Sequence, residues 1–346
     1  MRRGLMGWNP DELPKAALEA RIARLRTAMA RGGFDAVLLY TNLTRPSAAA
    51  WLTGFTPYWS DGLMLIALQG APVLATALSK RVGNWMRTTD TLSEIVNTPK
   101  PGALVGKRLA DAGCRRVGVL EYDSLPAGLH DEIAGAAPGI ELVDLGGTFA
   151  AVRRVVDDAE RGLIGRADGL ACAALDEIDV ESASDAGDVA GLVEKSARLG
   201  GAEEAYIAVA PDLDADRRMI RVAGSMPLGR RFAVRASVAY KGCWVRRIRS
   251  FARDDTAQRA FAEADAWLAD AAASLSPGSP LEAQLSAGLS QLPGAGLHNM
   301  MSESCIGSYP LEPVADAPAG GYVVMTVALM LAGTPWLGAV PAFVGR

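Results

Sequence analysis

Four arginines, Arg235, Arg246, Arg247 and Arg249, crowd one segment in the second half of the chain. A guanidinium presents a rigid fork of donors that matches a carboxylate or phosphate bidentately, so such a cluster is suited to holding an anion. The same side chains are equally suited to pairing with acids of the chain, and Asp254, Asp255 and Glu303 are candidates for that role. No residue pattern names a ligand, so the ion-paired reading is preferred. Alternate residues of a strand share a face. Arg247 therefore lies with Arg249, Arg246 points the opposite way, and Arg235 joins Arg249 if their strands pair. Arg235, Arg246 and Arg249 are the candidate anion-binding residues.

Other reactive groups are sparse. The only histidines are His130 and His298, and each reads as a structural or surface residue. Ser304 and Cys305 could act as nucleophiles, yet a nucleophile needs an adjacent base, and Cys305 reads better as a small hydrophobe. Cys114, Cys172, Cys243 and Cys305 form no CxxC pair, which suits free, buried thiols in a reducing compartment. Asp212, Asp214 and Asp216 alternate as in a calcium loop but lack its glycine and closing glutamate. They read, with Glu203 and Glu204, as solvated acidic loops.

These residues need a large scaffold, and the chain supplies one. Its 346 residues, half of them hydrophobic, suit about two domains. A formal charge of −4 excludes the basic footprint of a nucleic-acid binder. Arg2 and Arg3 are followed by polar residues instead of an apolar run, so a signal peptide is not expected and a cytoplasmic location is. Residues 320–345 carry no charge, long enough to span a bilayer, but Gly320-Gly321 and Gly333-Thr334-Pro335 cut them into strand-length pieces. No membrane association is expected.

Residues 19–32 have helical periodicity, with Ile22, Leu25 and Met29 on the apolar side, arginines on the other, and a stop at Gly32-Gly33. Apolar strand-like runs follow at 35–40, 63–68, 72–75 and 117–120, with helical segments between them, which argues an α/β domain with partly parallel pairing ending near Gly147. Residues 149–199 read as helical, with Arg153, Arg154, Asp157, Asp158, Glu160 and Arg161 on the wet side. Strand-like runs return at 205–210, 231–240 and 244–251, before a long amphipathic helix from Asp255, a second helix, and closing strands. The second half is thus α+β.

Several segments resemble, in order and spacing, the creatinase, prolidase and aminopeptidase P family. Arg21-Ile22-Ala23-Arg24-Leu25, Met29 and Gly33-Phe34-Asp35-Ala36-Val37-Leu38-Leu39 are similar to its opening helix and strand, and Trp51-Leu52-Thr53-Gly54-Phe55 to its "YLTGF" element. Arg153 to Glu160 resembles the R-x-x-K-x-x-x-E start of the catalytic domain, with Val156 in place of the lysine. The stretch from Val234 to Phe251 resembles D-x-G-x-x-Y-x-G-Y-x-x-D-x-T-R-T-F and keeps Tyr240, Gly242, Arg249 and Phe251. Glu303 to Pro313 resembles G-H-G-I-G-L-x-x-H-E-P, and Gly321 to Ala328 resembles G-M-V-x-T-V-E.

The resemblance implies an α/β creatinase-like N-terminal domain over residues 1–150 and an α+β pita-bread (creatinase/aminopeptidase) domain over 151–346. It also implies that every metal-ligand position has changed: to Arg235, Arg246, Ser304, Ala328, and either Gly338 or Ala339. The substrate-contacting histidine falls on Leu311, which closes the metal-independent route of creatinase as well. Two-metal hydrolysis needs anionic or imidazole ligands converging on both cations, so no metal, no cofactor and no catalytic residue is expected. In this resemblance the N-terminal domain of one subunit borders the active site of the other, and Trp51, Trp59 and Trp85 are core or partner-facing. The expected role is that of an inactive subunit of a homodimer or of a heterodimer with a competent pita-bread paralogue. An arginine-lined module for a small carboxylate or phosphate, and a metal-independent C–N hydrolase, are the alternatives.

Overall fold

A computed structural model describes residues 7–55, 60–305 and 311–345. Arg2, Arg3, Trp59 and the 306–310 part of the motif region lie outside the described residues. Two compact units divide the chain between Arg153 and Arg154.

The first unit runs α1 (Lys15–Gly32), β1 (Ala36–Thr41), α2 (Ser47–Thr53), β2 (Gly62–Ala67), β3 (Val73–Thr76), α3 (Gly83–Thr89), β4 (Glu94–Asn97), α4 (Pro101–Asp111), β5 (Arg116–Leu120), α5 (Ala127–Ala136), β6 (Glu141–Asp144) and α6 (Gly146–Arg153). Its sheet has the order β4-β3-β2-β1-β5-β6. β1 pairs parallel with β5 and antiparallel with β2, so the sheet is mixed. The inner strand β1 is buried at every position, which is why it reads as a continuous apolar run. The edge strands β4 and β6 have no fully buried residue and carry no such signal.

α1 buries Leu18, Ile22, Leu25 and Met29 and ends at Gly33, whose φ of 67° favours glycine. Arg21 departs from the expected wet side. It is buried, donating from Nη1 to the Trp51 carbonyl at 2.9 Å with its guanidinium 5.2 Å from the Trp51 ring. Trp51 itself is a core residue, edge-on to Phe149.

The second unit runs α7 (Asp158–Asp176), α8 (Ala186–Leu199), β7 (Glu204–Ala210), β8 (Arg231–Tyr240), β9 (Cys243–Ala252), α9 (Asp255–Ala273), α10 (Leu281–Gly288), β10 (Ala295–Ser304), β11 (Glu312–Pro313), β12 (Tyr322–Leu331) and β13 (Thr334–Phe343). Its sheet has the order β11-β10-β12-β13-β9-β8-β7. The long hairpins β8–β9 and β12–β13 turn on Lys241-Gly242 (φ 46° and 79°) and Ala332-Gly333 (φ 47° and 89°). Two successive positive φ angles make the hairpin turn that follows strand twist. The uncharged stretch is the β12–β13 hairpin, and no described helix is long and apolar enough to cross a membrane.

Side-chain caps start two helices of this unit: Asp157 accepts from the Glu160 N–H at 2.8 Å for α7, and Asp254 from the Ala257 N–H at 2.9 Å for α9. Two residues expected on the wet side, Arg153 and Glu160, are instead buried. Helical spacing alone does not distinguish a charged side chain in solvent from a buried one.

Candidate functional site

The site is set by strand register. β8 and β9 pair so that Arg235 faces Ile248 and Ser237 faces Arg246. Directly paired residues share a face, so Arg235 and Arg246 lie together. The row through Arg235 continues from Ile248 to Ala339, to Thr326, and to Met301 on β10. Arg249 pairs with Val234 and lies on the opposite face, which corrects the grouping of Arg235 with Arg249. The candidate anion set therefore splits: Arg235 and Arg246 on one face, Arg249 with Arg247 on the other.

The first of these faces is concave. Arg246 on β9 forms an ion pair with Glu303 on β10, although β13 and β12 lie between those strands. Three strand spacings in a flat sheet amount to about 14 Å. Direct contact across them fits a sheet that curls to bring β9 and β10 toward one another on this face. Both guanidinium ends engage the carboxylate, with Nη2 at 3.4 Å from Oε1, while Arg246 Nε lies 3.4 Å from Ser237 Oγ.

On the outer face the arginines are consumed by α7. Arg247 donates to both oxygens of Asp168 at 2.6 and 2.8 Å, and Arg249 to Asp176 at 2.6 Å. Burial disfavours the Arg247 cation, but the hydrogen bonds and charge of Asp168 outweigh it and hold its pKa above the ordinary value. These two acids lie 79 and 73 residues from their partners, so no local pattern announces them. Of the acids suggested by sequence only Glu303 pairs with this cluster; Asp254 pairs with Arg231 at 3.1 Å instead.

Arg235 is different. Among the described residues no acid pairs with it, and its Nε is buried without a hydrogen-bond partner. Burial lowers its pKa first and the like charge of Arg246 lowers it further, against a smaller opposing effect of Glu303. The hydroxyl of Thr326, in the same register row, is also buried without a partner.

The remaining positions sort by face. Ala328 pairs with Leu337 and Thr326 with Ala339, so Ala328 and Ala339 both lie on the concave face. Gly338 does not; a Cβ there would sit 2.2 Å from the ring of Trp336. Ser304, the position the resemblance implies for a ligand, turns its side chain away. Its hydroxyl donates to the Tyr322 carbonyl at 2.5 Å, and the neighbouring Glu303 is the residue that enters the concave face. Neighbours in a strand alternate, and the sequence alone could not say which of the two points in.

This donor set does not fit a pair of divalent cations. The concave face offers two guanidiniums, one carboxylate already engaged by one of them, the neutral hydroxyls of Ser237 and Thr326, and alanines. Among the described residues no three His, Cys, Asp or Glu side chains converge as a metal site requires.

Other candidates resolve individually. Cys305 is buried against Trp244 and Tyr322, and His298 is an exposed residue at a register shift in β10. His130 is exposed on α5. Cys243 is buried, whereas Cys114 and Cys172 are only half-buried, less than expected. Glu203, expected in a solvated loop, is buried and accepts from the Gly242 N–H at 2.9 Å, bracing the β8–β9 turn. Asp214 and Asp216 pair with Arg231 and Arg218.

Residues 21–155 match the creatinase/prolidase N-terminal domain family. No curated protein matches the sequence. Solved structures of similar fold include an Xaa-Pro dipeptidase from Bacillus anthracis, 19% identical with a TM-score of 0.73 over 94% of this chain and 95% of that one. An X-Pro aminopeptidase from Thermotoga maritima is 14% identical with a TM-score of 0.72 over 92% and 95%. A prolidase from Pyrococcus horikoshii is 15% identical with a TM-score of 0.70 over 94% and 95%.

Proposed function

We propose, for a chain that carries a creatinase/prolidase N-terminal domain at residues 21–155 and the pita-bread fold beyond it, a prolidase-like protein that no longer hydrolyses peptides. One observation carries this reading: on the concave face the two adjacent strands present Arg235 and Arg246, with Glu303 drawn into an ion pair by the latter. Two unit charges about 4 Å apart interact by roughly 4 kcal/mol at an effective dielectric near 20, so a divalent cation there meets repulsion where a hydrolase needs attraction.

The role left to such a chain is assembly, as a subunit of a homodimer or of a heterodimer with a catalytically competent relative. The match of residues 21–155 to the creatinase/prolidase N-terminal domain supports it, because that domain is kept in a chain whose concave face is rewritten. Metal analysis of the purified protein, a Xaa-Pro dipeptide hydrolysis assay with added manganese or cobalt, and mass-resolved size exclusion after co-expression with an intact relative test the reading. The expected result is substoichiometric metal, no turnover, and a stable oligomer. Stoichiometric metal with turnover, or a monomer under all conditions, overturns it.

A further inference from the structure

We infer that the concave face is a binding site for a small monocarboxylate, held by the guanidinium of Arg235 with the hydroxyl of Thr326 as a second contact. The inference rests on the proposed loss of the metal centre, because a bound divalent pair would claim the same space.

The charge balance comes first. Arg246 and Glu303 neutralise one another, and both are largely buried, with side-chain exposures of 14% and 9%. Arg235 shares their face and adds one positive charge that no acid among the described residues meets. Arg235 is half-buried with its Nε enclosed, so its charge is only partly screened by water, and the net excess on this face is a single cation. A monoanion completes the balance; a phosphate dianion would overshoot it and lie close to Glu303.

The hydrogen-bonding requirement points the same way. The buried Nε of Arg235 is a donor without an acceptor, and the buried Thr326 hydroxyl can both donate and accept. They occupy the same register row, on β8 and β12, of the sheet whose curl already brings Arg246 and Glu303 into contact. A carboxylate offers two acceptor oxygens and suits the Arg235 fork bidentately, with acceptor capacity left for a hydroxyl. Ala208, Ile248 and Ala339 of that row, and Ala328 beside it, carry no polar side-chain group, and the neighbouring Ser237 hydroxyl lies 3.4 Å from Arg246 Nε.

Calorimetric titration of the full-length protein with sodium benzoate and sodium acetate, at low ionic strength, tests the inference, with inorganic phosphate and chloride as comparison anions. One of the monocarboxylates is expected to bind saturably with unit stoichiometry, at least tenfold tighter than chloride and tighter than phosphate. Arg235→Gln should weaken that binding at least tenfold, and Thr326→Val by a smaller factor. Each variant is checked for folding by circular dichroism, and Thr326→Val keeps the test usable if Arg235→Gln does not fold. No saturable binding of either carboxylate overturns the inference, as does binding unchanged in both folded variants, or an equal response to all four anions. Hydrolysis of a Xaa-Pro dipeptide with added metal is measured on the same sample. Turnover would instead defeat the non-catalytic reading, so the two failures are told apart.

Discussion

Arg246 and Glu303 reside on strands that are not neighbours in the sheet, yet their side chains close on one another. That contact measures the curl of the second unit and fixes the electrostatics of its concave face. Removing the carboxylate leaves the largely buried Arg246 beside the half-buried Arg235 on one face, with no acid among the described residues paired to either. Glu303→Gln should therefore destabilise the protein by about 3 to 5 kcal/mol, the usual cost of orphaning one member of a buried pair. Arg246→Met combined with Glu303→Leu should cost much less than Glu303→Gln. Urea unfolding of the three proteins checks this, and equal losses in the single and double variants would remove the pair from the account.

Asp265 sets a pH dependence. It lies on α9, accepts from the Trp336 indole N–H at 3.1 Å, and burial pushes its pKa up from 3.8 to about 6. A carboxyl with a raised folded-state pKa holds its proton more tightly when folded. Stability therefore falls as pH rises from about 4 through 6, and the full cost of ionising the buried group is present above that window. At about 1.4 kcal/mol per unit the cost is about 3 kcal/mol. Asp265→Asn keeps an acceptor for Trp336 and removes the charge. It should stabilise the fold by about 2 to 3 kcal/mol at pH 8 and by little at pH 4. Unfolding curves at the two pH values would disprove the assignment if the gain were the same at both.

The β8–β9 turn makes a backbone prediction. Gly242 has φ 79°, and its N–H is taken by the buried Glu203 carboxylate. A β-carbon in this region costs about 1 to 2 kcal/mol, so Gly242→Ala should lower stability by that amount. Glu203→Ala should cost about 1 to 3 kcal/mol through the unsatisfied N–H. Thermal melts of both variants provide the measurement, and a neutral effect of Glu203→Ala would show that the carboxylate does not brace the turn.

Gly338 tests the packing of Trp336. A Cβ at this position meets the indole ring at 2.2 and 2.4 Å, and Trp336 is fully buried with its N–H committed to Asp265. Gly338→Ala should cost about 1 to 3 kcal/mol as an overpacked core substitution. Ala339→Gly, on the opposite face, should cost about 1 kcal/mol or less. Similar losses at both positions, seen by urea unfolding, would count against the assignment of the two residues to opposite faces.

The residue types alone determined much of this protein. The apolar runs marked the inner strands β1, β2, β3 and β5, because strands buried on both sides must be continuously apolar. Glycine placement marked the end of α1 and both hairpin turns. The family resemblance singled out Arg235 and Arg246, but residue alternation alone grouped Arg235 with Arg249, and only the β8–β9 register put Arg235 and Arg246 on one face. Tertiary structure decided the rest. Helix docking brought Asp168 and Asp176 beside arginines far away in the chain, and register alone put Thr326 in the row of Arg235. Glu303 displaced Ser304, and Ala339 was separated from Gly338, by the alternation of strand faces, which a one-residue uncertainty in sequence leaves undetermined. Burial of Arg21, Arg153, Glu160 and Glu203 likewise depends on what packs over them, and composition carries no record of that.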